Sequence, residues 1–251
     1  MTDAALQRFF ADLHVHTALS PCGSDEMTPP AIVAAALDSG LALIAVCDHN
    51  SARNAAAVQD AAGDRLTVLA GIEVTSAEEA HVVGLFPTAA DAEAAGAQLR
   101  SLLPDADDDY TAFWGEEHLM DAAGRVVGAE TKALGLATTL SIDGVVGLLH
   151  QYGGLAIAAH IDRRSFGVIA QLGFFPAAAG FDAVELSSRV AADSPRLPEF
   201  AAIGLPMTAA SDAHYLADIG CARTLLLAAE PTFDELAKAL HGDAARSVER
   251  A

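Results

Sequence analysis

Along most of the chain, short apolar runs alternate with segments whose apolar residues recur at three- and four-residue spacing, the pattern of strands followed by helices. Phe9 to His16 reads as the first strand. Thr28 before Pro29 marks a helix start, Ile32, Val33, Ala36 and Leu37 supply its apolar stripe, and Gly40 ends it. Leu41 to Cys47 is the next strand, Asn54 to Ala62 a helix, Leu66 to Glu73 a third strand, His81 to Phe86 a fourth, and Ala89 to Leu103 a helix. The alternation then breaks over residues 104–140. Pro104 to Asp109 is acidic and loop-like, and Val126-Val127 between Gly124 and Gly128 reads as a short hairpin. So short a stretch cannot bury a core of its own, so it is expected to be an insertion within a single domain spanning 1–251, folded over the mouth of the site. Regularity returns with a helix at Ser141 to Tyr152, strands at Leu155 to His160, Phe181 to Ser187, Met207 to Ser211 and Arg223 to Ala228, and a last helix at Thr232 to His241.

Composition narrows the class. Apolar residues make up 52% of the chain, enough for a large core, and Ala-rich stretches such as Ala55 to Ala57 favour close-packed helices. The formal net charge is −20, with only Lys132 and Lys238 as lysines, so the surface repels polyanions and long nucleic acid is an unlikely partner. Small anionic substrates remain compatible. The three cysteines (Cys22, Cys47, Cys221) have no paired spacing, so a disulfide framework is not expected. No stretch reads as a signal peptide or a membrane span. The expectation is a cytoplasmic protein.

The chemistry is concentrated in six of the nine histidines, which sit in short strings with acids: Asp12-Leu13-His14-Val15-His16, Asp48-His49-Asn50, His81-Val82-Val83-Gly84, Ala159-His160-Ile161-Asp162 and Ser211-Asp212-Ala213-His214. In His-X-His on a strand, alternate side chains face one way, about 7 Å apart at the α-carbons, so both imidazoles can close on one ion. Asp212-Ala213-His214 repeats the spacing with a carboxylate. All but His81 fall at or beyond the C-terminal end of an expected strand, where α/β barrels collect their chemistry. His81 opens its strand, which implies that this strand runs differently or that the site reaches it from the other end.

Taken together, Asp12-Leu13-His14-Val15-His16-Thr17, Val46-Cys47-Asp48-His49-Asn50, Gly71-Ile72-Glu73-Val74 with His81, Ala159-His160 and Ser211-Asp212-Ala213-His214 resemble the motifs of the PHP (polymerase and histidinol phosphatase) superfamily of metal-dependent phosphoesterases. Ser20-Pro21-Cys22-Gly23, Met27-Thr28-Pro29 and His160-Ile161-Asp162-Arg163 resemble a bacterial subgroup of it. The resemblance implies an α/β fold, a distorted (β/α)7 barrel, with two to three divalent transition metals. It implies that His14, His16, Glu73 and Asp212 hold one ion, that Glu73 bridges to a second held by His81 and His160, and that His49 and His214 bind a third. The family completes that third site with an Asp five residues before the helix-opening proline. Ser24 stands there in this chain, so Asp25 is the expected replacement, ahead of Cys22 and Glu26.

Imidazole and carboxylate donors suit Zn²⁺, Mn²⁺ and Fe²⁺ without choosing among them. Such ions lower the pKa of bound water and attract a phosphate dianion, so attack of hydroxide on phosphorus is the expected reaction, with Glu73, Asp212, His214 and Arg163 at its centre. Arg163 and Arg164 follow His160 and are candidates to grip a phosphate through the guanidinium fork, with Arg53 and Arg189 behind them. Asp12 and Asp48 are candidates to orient His14 and His49. Glu116-Glu117-His118 in the insertion is a candidate source of a leaving-group proton, and His118, His150 and His241 otherwise read as peripheral. The substrate class is a small phosphorylated metabolite, nucleotide or short oligonucleotide. Two alternatives remain: an amidohydrolase-like hydrolase, although neither lysine lies in a ligand string to bridge metals, and a catalytically silent metal-bound interaction module.

Overall fold

The computed structural model describes residues 5–251. In chain order the elements are β1 (Gln7–Val15), α1 (Pro29–Asp38), β2 (Leu43–Val46), α2 (Ala55–Ala62), β3 (Thr67–Thr75), β4 (His81–Phe86), α3 (Ala89–Ser101), α4 (Asp108–Trp114), β5 (His118–Met120), β6 (Val126–Ala129), α5 (Ile142–Gln151), β7 (Leu155–Ala158), α6 (Val168–Leu172), β8 (Ala183–Leu186), α7 (Leu197–Ala201), β9 (Met207–Ala209), β10 (Thr224–Ala228), α8 (Phe233–Leu240) and β11 (Ser247–Arg250). Nine strands form one sheet in the order β11-β10-β1-β2-β3-β4-β7-β8-β9. The sheet curls until its ends approach: His16 N donates to Ala213 O at 2.9 Å, and the Thr224 hydroxyl bonds both the N–H and the carbonyl of Ala209. The result is a distorted, nearly closed barrel.

The inner and outer faces follow strand parity. On β2 and the residue after it, Leu43, Ala45 and Cys47 join an inner cluster with Leu69, Val83, Leu85 and Ile157, while Ile44 and Val46 face an outer cluster that includes Ile32, Val58, Leu99, Val145 and Leu149 from the helices. Leu236, Ala239 and Leu240 of α8 extend the inner cluster, and β10, which leads into α8, pairs Ala228 with Gln7 at the start of β1. The apolar plug therefore lies at the N-terminal end of β1. The opposite end is left for polar groups.

β4 settles the position of His81. It pairs antiparallel with both β3 and β7, with Thr75 opposite His81, so the start of β4 lies on the same rim as the ends of its neighbours. Three features depart from the sequence pattern. Thr28 occupies the cap of α1 without a side-chain cap bond. The acidic stretch after Pro104 is partly helical, because the Asp107 carboxylate accepts the Tyr110 N–H and starts α4. β11, α6 and α7, each of four or five residues, carry too short a pattern to be read in advance. The hairpin of the 104–140 segment is present as β5 and β6.

The barrel narrows at Gly71, two residues before Glu73 on the inward face. A Cβ there would lie 2.6 Å from Cys47 Sγ and 2.8 Å from the Gly84 carbonyl oxygen. Replacing glycine in a strand interior ordinarily helps by about 0.5–1 kcal/mol. Overpacking against fixed backbone costs about 1–3 kcal/mol and outweighs that gain. Gly71→Ala is therefore expected to lower the unfolding midpoint of metal-stripped protein by a few degrees, on the order of 2–8 °C for a chain of this size. Thermal unfolding followed by circular dichroism measures it, and an unchanged or raised midpoint would contradict the packing described.

Candidate metal centre

The rim opposite α8 gathers six histidines and two acids from the ends of six strands. Glu73, 1% exposed, is the hub. Its carboxylate lies 2.7 Å from His81 Nδ1, 3.0 Å from His49 Nδ1, 3.1 Å from His160 Nε2, 3.4 Å from His14 Nε2 and 3.5 Å from His16 Nε2. Asp212 stands beside it, 2.9 Å from His16 Nε2 and 3.5 Å from His14 Nε2. The donors form three overlapping sets: His14, His16, Glu73 and Asp212; His49, Glu73 and His81; and His16, His49 and His214.

The outer partners of three rings fix which nitrogen faces inward. His14 Nδ1 lies 3.1 Å from both oxygens of Glu185, His214 Nδ1 donates to the Asp212 carbonyl at 2.8 Å, and His16 Nδ1 meets the Ser20 hydroxyl at 2.8 Å, which itself donates to Asp48. These contacts favour a proton on each Nδ1 and turn each Nε2 to the cluster, where a metal ion would take the place of a second proton. His14 Nε2 and His16 Nε2 face each other across 3.2 Å. In addition, Glu73 Oε2 and His49 Nδ1, although 3.0 Å apart, do not form a well-directed hydrogen bond, and His160 Nδ1 is buried without a partner. Convergent bare nitrogens and orphaned carboxylate oxygen are the environment that a divalent cation satisfies. The residues fit the metals that the motifs imply.

The electrostatics agree. Burial opposes an imidazolium at His14, but the carboxylates of Glu185, Glu73 and Asp212 outweigh it and hold the His14 pKa well above its ordinary value. Burial likewise disfavours ionised Glu73, yet His81, His14 and His49 hold its carboxyl well below the usual range. His16 is pushed down, by burial and by His214 and His49. Burial also raises Asp12, to about 6, against three backbone and side-chain hydrogen bonds around Ser211 and Gly220. The pocket is thus a negative well lined with imidazole, suited to cations.

Backbone strain coincides with these positions. Asn50, His160 and Asp212 adopt φ of +51°, +28° and +52°, at the exits of β2, β7 and β9. Each such residue costs about 1–3 kcal/mol and persists where its surroundings over-determine it. Here Asn50 is clamped by the carbonyls of Leu134 and Leu136, the His160 N–H donates to Glu185, and Asp212 accepts from Arg163 at 2.5 Å.

Several expected contacts are replaced by others. Asp12 does not reach the His14 ring. A register shift between Asp12 and Val15 breaks the period-two alternation, and the Asp12 carboxylate turns to the N–H groups of Ser211 and Gly220. Glu185, a lone acid in the apolar run Ala183-Val184-Glu185-Leu186, takes that place and is the functional candidate that sequence reasoning missed. Asp48 supports His16 through Ser20 and anchors Thr17, so its carboxylate is spent on β1 and the loop after it. Asp25 stays out of the cluster: its carboxylate is 83% exposed and faces His118 at 3.8 Å. Cys22 instead puts its sulfur 3.3 Å from His49 Nε2. Burial opposes the Cys22 thiolate, but hydrogen bonds to His214 and His49 prevail and bring the thiol down to about 6.

The arginines divide. Arg53 is drawn away, donating with Arg100 to the buried carboxylate of Glu130. Arg163, Arg164 and Arg189, joined by Arg196, line a cavity of about 450 Å³ together with Asp162 and Phe166. Phe166 stacks on His81, ring centres 4.4 Å apart, so this cavity shares a wall with the donor cluster. Lys132 and Lys238 pair with Asp105 and Glu235, leaving no lysine to bridge metals among the described residues. His150 and His241 lie beside Asp182, apart from the site.

The family model described as PHP domain matches residues 12–174, and one described as PHP-associated matches residues 200–244. This chain belongs to the PHP family. Membership carries the class, a metal-dependent hydrolase. No curated protein sequence matches the chain. Among solved structures, the lesion-specific endonuclease Q of Pyrococcus furiosus superposes with a TM-score of 0.74 at 19% identity over 96% of this chain, which spans 58% of that protein's length. A protein from Bifidobacterium adolescentis assigned as a metal-dependent phosphoesterase gives 0.58 at 22% identity, covering 82% of this chain and 87% of that one. An amidohydrolase from Chromobacterium violaceum with bound sulfate gives 0.62 at 22%, covering 96% and 97%. These likenesses bear out the distorted PHP-type barrel.

The Glu185 carboxylate sets the tautomer of His14, and partners of this kind typically account for about 10–100-fold in metal affinity. Glu185→Gln is expected to weaken binding of the tightest ion by that order while leaving far-ultraviolet dichroism unchanged. Competition against a chromogenic chelator reads the affinity. Equal affinity in the variant would remove Glu185 from the centre.

Proposed function

We propose that this PHP-family chain hydrolyses a phosphate ester of a small phosphorylated metabolite, nucleotide or short oligonucleotide. The observation that carries the reading is the arginine-lined cavity sharing a wall with the donor cluster, in a chain whose net charge is −20. Nearly a third of the basic residues converge on one pocket instead of forming the extended basic stripe that long nucleic acid requires. The endonuclease Q structure that holds a 27-mer duplex with an abasic lesion makes nucleic acid the reading to test against it.

In this reading His14, His16, Glu73 and Asp212 hold one divalent ion, and His49, His81, His160 and His214 hold the others around Glu73. Such ions supply hydroxide near neutral pH and neutralise the charge of the phosphate. The protein groups do the rest. Arg163, tied to Asp212, stands between the cluster and the cavity. Arg164 and Arg189 lack a carboxylate partner among the described residues and receive the remaining phosphate or anionic oxygens of the substrate. Phe166 and Val190 give the pocket an apolar wall.

The insertion completes the mouth. Its His118 N–H donates to Ala18 O, and Asn50, next to His49, donates to the carbonyls of Leu134 and Leu136. Glu117 on this segment is 4% exposed, bonded to the Tyr110 hydroxyl at 2.6 Å, and burial lifts its carboxyl to about 7. It is partly protonated at neutral pH and is our candidate donor to the leaving group.

The test is a panel of phosphomonoesters, cyclic and bisphosphorylated nucleotides, short oligonucleotides and an abasic-site duplex, each with Mn²⁺, Zn²⁺ and Fe²⁺. Small phosphate esters are expected to turn over and the duplex is not. Glu73→Gln should abolish turnover and lower metal content by more than one ion. Arg164→Ala and Arg189→Ala should raise KM about tenfold or more with metal content unchanged. Preferential cleavage of the duplex, or full activity in Glu73→Gln, would overturn the reading.

A further inference from the structure

The set of His16, His49 and His214 holds three imidazoles and no carboxylate. Yet the loop after β1 is built to bring one more side chain to it. Ser20 N donates to Thr17 O, and Gly23 N to Ser20 O at 2.8 Å. The Ser20 hydroxyl is locked onto Asp48, and a Cβ on Gly23 would meet Thr17 O at 2.6 Å, so only glycine allows the chain to turn this tightly. Ser24 N then donates to the His214 carbonyl at 3.0 Å, stapling the loop to the strand exit that carries His214. Between these fixed points sits Cys22.

Its sulfur lies 3.3 Å from His49 Nε2, on the loop that the Ser24 N–H holds against His214. Two ligands of one tetrahedral ion, with sulfur at about 2.3 Å and nitrogen at about 2.0–2.1 Å, are about 3.6 Å apart. The observed spacing is close to that of a shared ion. The other side chains of the loop are turned elsewhere: Ser24 Oγ accepts the Glu26 N–H, and the Asp25 carboxylate faces solvent and His118.

We propose that Cys22 is a ligand of the third metal, so that this ion is held by a thiolate with His49 and His214, where the first ion has carboxylates and imidazoles alone. A thiolate prefers Zn²⁺ and other borderline or soft ions to Mn²⁺. The three ions are then unlike in kind: the Cys22 site selects zinc, while the Glu73 and Asp212 sites accept manganese or iron. The inference depends on the metal centre and not on which ester is cleaved.

The experiment is cobalt substitution of the full-length, metal-depleted chain. A thiolate-bound Co²⁺ gives near-ultraviolet charge-transfer absorption, which imidazole and carboxylate sites lack. The band is expected in the wild type and in Cys221→Ser, and is expected to vanish in Cys22→Ser with the loss of about one bound ion, while the visible bands of the remaining cobalt persist and report a folded centre. Cys22→Asp, which keeps a donor, should retain the full complement of ions, lack the band and bind Mn²⁺ in place of Zn²⁺ more readily. Bound Zn²⁺ should also protect Cys22 from carbamidomethylation by iodoacetamide. A wild-type cobalt protein without the band, or Cys22→Ser with unchanged spectrum and stoichiometry, would overturn the assignment, and neither readout requires a substrate.

Discussion

A buried carboxylate at Glu73 is the constraint around which the rest of the barrel is arranged. An ionised acid removed from water costs several kcal/mol unless opposite charge and hydrogen bonds surround it. Here five imidazoles from four other chain segments do so. Meeting that demand fixes much else: the inward parity of β3, the antiparallel sense of β4 that delivers His81 to the common rim, and the glycine below Glu73 that lets neighbouring strands draw close.

Behind the first ring of donors stands a second ring of groups, each doing a distinct task. Glu185 sets the tautomer of His14, Ser20 and Asp48 set that of His16, and a backbone carbonyl sets that of His214. These partners come from β8, the loops after β1 and β2 and the turn after β9, so the precision of the centre belongs to the whole barrel. The positive φ angles at Asn50, His160 and Asp212 show where the backbone bends out of its preferred region to aim these chains.

Much of this was legible in the sequence, for specific reasons. His-X-His, Asp-His and Asp-X-His strings at strand ends announce converging donors because strand parity is a local property, and the alternation of apolar runs announces a barrel. What stayed hidden depends on register or distance. Asp12 and His14 share parity on an ideal strand, but a bulge separates them. Glu185 is 171 positions from His14, a lone acid in an apolar run that reads equally well as a strand interruption. Asp25 and Cys22 lie in one loop, and only the turn at Gly23 decides which of them faces inward. Arg53 carries the right chemistry but meets Glu130, a partner from the insertion. Periodicity cannot forecast that contact.

The pairing of Val15 with Ala213 joins the first strand to the end of the last barrel turn. Donors therefore come from nearly the full span of the chain, and loop closure of that length is slow to form and entropically costly. During synthesis from the N-terminus, His14, His16, His49, Glu73, His81 and His160 emerge long before Asp212 and His214. A nascent chain at that stage has most of the donors and no closed barrel to shape them. A finished centre therefore arises only after translation has passed Asp212 and His214, so the order of the chain makes barrel closure and completion of the donor set one event.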